Sequence, residues 1–148
     1  DSFEYENPSH IKNSFLKAQN FSILSFNIRS LNKNFYKVEA LISQLAFKPD
    51  LICITETWID HYRTFLYSLD GYNFIYKPCN SKSGGTGLFI KEDINYIIQN
   101  DLNLNLPDCD ELWVQLVLNK SKKLVIGSIY RHPSYKFDLF FKQIKSKG

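Results

Sequence analysis

Two apolar runs in the chain end beside a polar side chain, and both have the composition of β-strands. Residues 51–55 read Leu-Ile-Cys-Ile-Thr and are followed at once by Glu56. Apolar and β-branched residues without alternation are typical of a strand that is buried on both faces. An earlier run, Ser22–Ile28, carries Asn27 near its end. Both runs are therefore predicted to be strands that present a polar group at the carboxyl end.

A helix is predicted between these two strands, because apolar residues recur there at helical spacing: Phe35, Val38, Leu41, Ile42 and Leu45. Asn32 or Asn34 can cap its start, since either side chain can accept from free backbone amides. Lys48-Pro49-Asp50 is expected to end it. Strand, helix and strand joined by short connections indicate a β-α-β unit.

Such a unit brings Asn27 and Glu56 to the same edge of a sheet, where α/β folds place their chemistry. A buried, unpaired carboxylate costs on the order of several kcal/mol, so Glu56 requires a partner. A metal ion or a hydrogen-bonding substrate would provide one. The alternative is that Glu56 caps the following segment while Asn27 forms a turn.

The remainder of the chain alternates short apolar segments with turns, which favours a mixed or antiparallel sheet over a doubly wound one. Five further strands are predicted, at Tyr72–Lys77, Gly87–Ile90, Tyr96–Gln99, Glu111–Leu118 and Lys123–Tyr130. Asn119–Lys122 is interpreted as a hairpin turn, and a helix is expected from Tyr135 onward. Residues 1–20 are polar and aperiodic, which predicts a leader or linker, and residues 21–148 form the predicted domain.

Composition excludes a few classes of protein and leaves the function open. The 148 residues suit one domain, and a net charge of +3 permits a polyanionic partner without requiring one. Three cysteines without a C-x-x-C spacing indicate neither a zinc site nor a disulfide framework. No apolar run of about 18 residues is present, so no membrane span is predicted and an intracellular location is expected.

Two short motifs bear on chemistry. The glycine-rich Gly84–Gly87 segment lacks the features of a nucleotide-binding loop and is interpreted as a tight turn. The segment that ends in Tyr130, Arg131 and His132 finishes a strand with three polar groups, of which tyrosine and arginine can both donate to phosphate. The alternative is a polar strand end that Pro133 happens to break.

Taken in order, the segments FSILSFNIRSL, LICITETW, SGGTGLFIK, LWVQL and LVIGSIYRHP resemble the N-terminal part of the endonuclease/exonuclease/phosphatase superfamily. Within it they are most similar to the endonuclease domain of LINE-type, non-LTR retrotransposons. The resemblance runs from about Phe21 to the end of the sequence. Its most specific parts are the two strand ends, ITETW and IYRHP.

The resemblance implies an α/β fold, a four-layer sandwich of mixed, largely antiparallel sheets with flanking helices. It also implies Mg²⁺-dependent cleavage of a phosphodiester, with Asn27, Glu56 and Tyr130 as catalytic residues and Glu56 as the metal ligand. Arg29 and Arg131 are expected to contact the DNA backbone. Many apurinic-type relatives have an acidic residue at position 29, so Arg29 makes abasic-site repair a less favoured function.

The second half of the family's catalytic set has no match here, so the chain is expected to be a partial sandwich, incomplete and inactive alone. The implied partners are DNA and, in a longer parent protein acting in the nucleus, a reverse-transcriptase domain. Two alternatives stay open. One is a non-catalytic remnant or binding fragment of the same fold, and the other is a phosphatase from another branch of the superfamily.

Overall fold

The computed structural model describes residues 20–60, 67–79 and 83–147. The predicted leader at residues 1–20 lies outside the described residues except for Asn20. Within the described part of the chain, seven strands form two sheets. The strands are β1 (Ile23–Asn27), β2 (Leu51–Thr55), β3 (Tyr72–Lys77), β4 (Thr86–Lys91), β5 (Asn95–Ile98), β6 (Cys109–Val117) and β7 (Lys123–Arg131). The helices are α1 (Leu31–Gln44) and α2 (Phe137–Lys147), with a short 3₁₀ turn at Asn100–Leu102.

The first sheet has the strand order β1-β2-β4-β3. Strands β1 and β2 are parallel and are connected through α1, whereas β4 is antiparallel to both β2 and β3. In the β1–β2 register Asn27 lies opposite Thr55, the residue before Glu56. The predicted β-α-β unit therefore forms, and it brings the two polar strand ends to one edge of the sheet.

The second sheet is antiparallel, with β6 between β5 and β7. The predicted hairpin joins β6 to β7, and the Asn119 side chain accepts hydrogen bonds from the backbone amides of Ser121 and Lys122 at 3.0 and 2.9 Å. Asp110 lies opposite Tyr130 near one end of this sheet. The mixed α/β architecture with two sheets and helices confirms the predicted fold class.

Two apolar clusters hold these layers together. One lies between α1 and the first sheet and includes Val38, Ile42, Ile52, Ile54 and Phe89. The other lies between the two sheets and includes Leu51, Cys53, Leu88, Val114 and Leu116. Strand β2 contributes to both clusters, which explains why its sequence is apolar without alternation.

The start of α1 corrects one prediction. Ser30, and neither Asn32 nor Asn34, is the N-cap, and its hydroxyl accepts from the Lys33 amide at 3.4 Å. The Asn34 side chain instead donates to the carbonyls of Ile28 and Arg29, at 3.0 and 2.9 Å. The tight β1–α1 connection leaves those carbonyls outside the strand ladder, and the Asn34 amide satisfies them.

The remaining elements were predicted to within about two residues. Strands β2 and β3 have the predicted bounds, and β6 begins two residues before the prediction, at Cys109. The last helix begins at Phe137 and not at Tyr135, which is buried in the preceding turn. Among the described residues, no helix combines the length and the apolar character that crossing a bilayer requires.

Candidate functional site

Three of the predicted site residues meet where β1, β2 and β7 end. The Asn27 side-chain amide donates a 2.7 Å hydrogen bond to Oε1 of Glu56. The amide oxygen of Asn27 is occupied by the backbone N–H of Arg29, at 3.0 Å, so the orientation of the Asn27 amide is fixed from both ends. Glu56 is half-buried and Asn27 is exposed, which leaves the carboxylate accessible from solvent. Asn27, Glu56 and Tyr130 are called the Glu56 cluster below.

The Tyr130 hydroxyl also hydrogen-bonds to Glu56. Burial raises the pKa of the Tyr130 phenol, and the charge of Glu56 and the hydrogen bond to it raise that pKa further. Because the phenol stays protonated at neutral pH, it acts as a hydrogen-bond donor. Glu56 is thus held by an amide from the first sheet and a phenol from the second.

The backbone around Glu56 is strained. Glu56 and Trp58 both have φ of 53°, and Arg29 and Ser30 have φ of 47° and 82°. Non-glycine residues in this region each cost about 1 kcal/mol or more, and such residues concentrate at functional sites. The strain lies at two of the three strand ends that supply the cluster, those of β1 and β2. Packing in the two apolar layers keeps this geometry in place.

The two predicted DNA-binding arginines occupy different places. Arg29 is exposed and follows Asn27 by two residues, at the edge of the Glu56 cluster. Arg131 does not join the cluster, because successive residues of a strand face opposite sides of the sheet and Arg131 directly follows Tyr130. Its guanidinium donates to the carbonyls of His132 and Tyr135 and lies 5.6 Å from the ring centroid of Phe137.

A second polar group, the Asp110–His132 pair, lies directly behind Tyr130. Oδ2 of Asp110 is 3.0 Å from Nε2 of His132 and accepts the backbone N–H of Gly85 at 2.8 Å. The His132 ring packs edge-on against the Tyr130 ring, with centroids 5.0 Å apart. The pair therefore connects β6 and β7 of the second sheet to the glycine turn that precedes β4.

The glycine turn fits against both groups. Gly84 and Gly85 have φ of 134° and 85°, whereas Thr86 and Gly87 of the predicted turn already belong to β4. A Cβ at Gly84 would lie 2.6 Å from the His132 ring and 2.7 Å from the Asp110 carboxylate. The carbonyl of Gly84 accepts from the Trp58 amide at 2.9 Å, which attaches the turn to the segment after Glu56. Only glycine fits here, because the backbone both adopts positive φ and approaches buried side chains closely.

Sequence reasoning missed Asp110 and did not assign a role to His132. The two residues are 22 positions apart, Asp110 on β6 and His132 directly after β7, so spacing gives no signal for the pair. A weak signal did exist, since Asp110 directly precedes the predicted strand Glu111–Leu118. In the structure Asp110 is the second residue of β6, and its side chain is 5% exposed. A buried carboxylate has to find a hydrogen-bonding partner.

The Glu56 cluster fits the kind of magnesium site in which the protein provides few ligands. Mg²⁺ is commonly held by one or two carboxylates, with waters and substrate phosphates as its other ligands. Glu56 can provide one such carboxylate, whereas the Asn27 amide, as oriented, positions Glu56 and is not itself a ligand. In the described ranges, the Glu56 cluster included, no group of three or more His, Cys, Asp or Glu side chains could hold a metal ion.

Comparison with known proteins places this geometry in a family. The model of the endonuclease/exonuclease/phosphatase family matches residues 24–141, which is most of the chain and includes every member of the Glu56 cluster. No curated protein sequence matches the chain.

Several solved structures share the fold. The endonuclease domain of TRAS1, a telomere-specific non-LTR retrotransposon, is 14% identical with a TM-score of 0.55, and the match covers 86% of this chain and 54% of that one. D. rerio TDP2 complexed with a single-strand DNA product is 16% identical with a TM-score of 0.58, covering 87% and 53%. A humanized D. rerio TDP2 carrying 14 mutations is 20% identical with the same TM-score, covering 85% and 57%.

The chain spans little more than half the length of these structures, and identities this low establish the fold alone. The family match covers the strand ends that carry Asn27, Glu56 and Tyr130. The protein therefore belongs to the endonuclease/exonuclease/phosphatase family and has that family's nuclease and phosphatase fold.

Proposed function

We propose that this chain carries the metal-binding half of a Mg²⁺-dependent phosphodiesterase site, from a DNA-nicking endonuclease of a non-LTR retrotransposon. The observation that carries the proposal is the geometry of Glu56, a half-buried carboxylate held by Asn27 and Tyr130 where strands of two sheets end. Two neutral donors leave the negative charge of Glu56 without a cation among its described hydrogen-bond partners. A divalent cation and a phosphate would complete that arrangement.

Each member of the cluster has a definite task in this proposal. Glu56 would hold Mg²⁺, and the ion, when bound, would neutralise charge on the phosphate. Asn27 keeps the carboxylate in one orientation. Tyr130, protonated at neutral pH, donates to Glu56 and could redirect its single O–H to a phosphate oxygen once a cation occupies the carboxylate. Arg29, exposed beside Asn27, would contact the DNA backbone, whereas Arg131 already donates to carbonyls of its own chain.

The 148-residue chain is proposed to bind DNA weakly and not to cleave it. One carboxylate is a sparse ligand set for Mg²⁺, which prefers octahedral coordination. Groups that position water and stabilise the leaving oxygen act as a unit with the metal, so a partial set loses far more than a proportional share of activity. In a longer parent protein, a reverse-transcriptase domain and a nuclear location would accompany the nicking activity.

A second candidate is processing of DNA ends, in the phosphatase branch of the superfamily. The observation that suggests it is the fold shared with D. rerio TDP2, whose structure holds a single-strand DNA product. The retrotransposon function is preferred because ITETW and IYRHP resemble that branch. Binding to closed circular DNA in preference to linear ends would separate nicking from end processing.

Fluorescence anisotropy with a labelled 20-base-pair duplex tests the proposal. We expect an apparent Kd of about 10 to 100 µM that weakens steeply with salt, as for contacts to phosphate. Addition of 5 mM Mg²⁺ should strengthen binding of the wild-type chain. Glu56→Gln should lose that gain, whereas Glu39→Gln, the same change on the exposed surface of α1, should retain it.

Two results would contradict the proposal. One is DNA binding that responds to Mg²⁺ equally in wild type and in Glu56→Gln, because the cation would then act elsewhere. The other is the absence of any salt-dependent binding at low ionic strength, because the chain would then not contact phosphates at all.

A further inference from the structure

Asp110 is a buried carboxylate whose partners come from two sheets. It belongs to β6 of the second sheet, and its Oδ2 accepts the amide of Gly85, which leads into β4 of the first. The same oxygen lies 3.0 Å from Nε2 of His132. The backbone of His132 is fixed as well, because its amide donates to the Asp108 carbonyl at 2.8 Å.

We infer that the Asp110–His132 pair is a positioning device for the Glu56 cluster. This inference deepens the proposed function and rests on it for the identity of the ligand. The pair does not contact Glu56 directly. It acts through Gly85 on one side and through Tyr130 on the other.

The contacts form a closed circuit around the site. The Tyr130 hydroxyl bonds to Glu56, and the Tyr130 ring packs against His132. His132 pairs with Asp110, and Asp110 accepts from Gly85. The circuit closes through the backbone, since Thr57 and Trp58, which follow Glu56, donate to the carbonyls of Gly85 and Gly84 at 3.5 and 2.9 Å. Displacing one member therefore displaces both the carboxylate and the phenol.

This closure distinguishes the pair from an ordinary link between sheets. Thr86 and Ser128 provide such a link, with hydroxyl oxygens 2.5 Å apart, and both are buried. Their bond lies one residue further into β4 and two residues before Tyr130, and it includes no member of the circuit. Ser128→Ala is therefore a matched control that removes a cross-sheet bond without opening the circuit.

The experiment compares wild type, His132→Ala, Asp110→Ala and Ser128→Ala by NMR without metal, following the Glu56 side-chain carboxyl carbon and the Asn27 side-chain amide. We expect both signals to shift in the two circuit variants and to stay in place in Ser128→Ala. In Asp110→Ala the Gly85 amide should also exchange faster with solvent, because it loses its acceptor. His132→Gln, which can still donate to Asp110, should restore the wild-type signals in part.

A Mg²⁺ titration of the same samples then measures how much each substitution weakens Mg²⁺ binding. Loss of a group that orients a metal ligand typically weakens metal binding by about 10- to 100-fold. We expect a loss near the lower end of that range for His132→Ala and Asp110→Ala, and none for Ser128→Ala. Unchanged Glu56 and Asn27 signals in His132→Ala, or equal shifts in Ser128→Ala, would overturn the inference.

The two parts of the experiment separate the inference from the proposed function. The wild-type Glu56 signal could stay unchanged on addition of Mg²⁺ while the circuit variants still shift it in the metal-free chain. That result would support the positioning role of the pair and contradict the proposed metal site. If Asp110→Ala does not fold, His132→Ala decides the result, since its side chain is 17% exposed and its removal leaves the Asp110–Gly85 bond in place.

Discussion

The Asn27 amide donates to the Glu56 carboxylate across a distance of 2.7 Å, and the two residues come from parallel neighbouring strands. The register that places Asn27 opposite Thr55 leaves Glu56 one residue beyond the end of β2. Positive φ at Glu56 turns the backbone there, out of the extended conformation of the strand. One hydrogen bond therefore couples the folding of the β-α-β unit to the geometry of the candidate metal ligand.

Removing that hydrogen bond should weaken metal binding without unfolding the protein. Asn27→Ala is expected to reduce Mg²⁺ affinity by about 10-fold, since outer partners of a metal ligand contribute on this scale. Asn27 is exposed, so stability should change little. Isothermal titration calorimetry measures the affinity, and Asn73→Ala, the same change at an exposed position of β3, is the control. Equal Mg²⁺ affinity in both variants would show that Asn27 does not position Glu56.

The glycine turn should tolerate no side chain at position 85. A Cβ there would lie 2.4 Å from the Thr57 hydroxyl, and φ of 85° is unfavourable for any other residue. Gly85→Ala should lower the free energy of unfolding by about 2 to 4 kcal/mol, as strain and overpacking do together. Urea denaturation measures the loss. Adding Thr57→Ala should recover the steric part only, and full recovery would show that the backbone conformation costs nothing.

The free energy of unfolding should fall at alkaline pH because of the buried Cys53 thiol. Burial raises the pKa of this thiol to about 11, against 9.0 for an exposed cysteine. The unfolded chain therefore loses its proton first, so the contribution is intact below pH 9 and declines as pH rises toward 11. The loss is expected to reach about 2 kcal/mol. Urea unfolding at pH 8 and pH 10.5, under reducing conditions, should show a smaller decline in Cys53→Ala, and identical declines would exclude Cys53 as the cause.

The chain by itself should not cut DNA. Supercoiled plasmid incubated with residues 1–148 and Mg²⁺ is expected to stay supercoiled, because the described residues provide one candidate metal-binding carboxylate and no complete metal-binding group. Gel electrophoresis separates the nicked form. Mg²⁺-dependent nicking that disappears in Glu56→Gln would show that these 148 residues already contain a full catalytic set.

Local patterns predicted the fold well because most elements here are specified locally. The apolar run 51–55 and the alternation in Tyr72–Lys77 predicted strands with the observed bounds. The cap of α1 was predicted wrongly because Ser30 has φ of 82°, a conformation that spacing cannot show, while three polar residues compete for the role within five positions.

Some of the site residues could likewise be predicted from local sequence, and others could not. The convergence of Asn27, Glu56 and Tyr130 could be predicted because each follows or lies near the end of an apolar strand. The Asp110–His132 pair could not, because it forms only once the register of β6 and β7 sets Asp110 opposite Tyr130 and the first sheet brings Gly85 to the same carboxylate. Strand alternation alone predicts that Arg131 points away from the Glu56 cluster, since neighbouring residues on a strand face opposite sides.

We propose that Glu56 is the divalent-metal ligand of this chain. Titration with Mn²⁺, a paramagnetic substitute for Mg²⁺, tests it directly, because signals near the ion broaden while distant ones do not. We predict that sub-stoichiometric Mn²⁺ broadens the signals of Asn27, Glu56 and Tyr130 first, and that Glu56→Gln abolishes this effect while Glu39→Gln does not. Broadening that centres on other carboxylates, or that persists unchanged in Glu56→Gln, would show that Glu56 does not bind the ion.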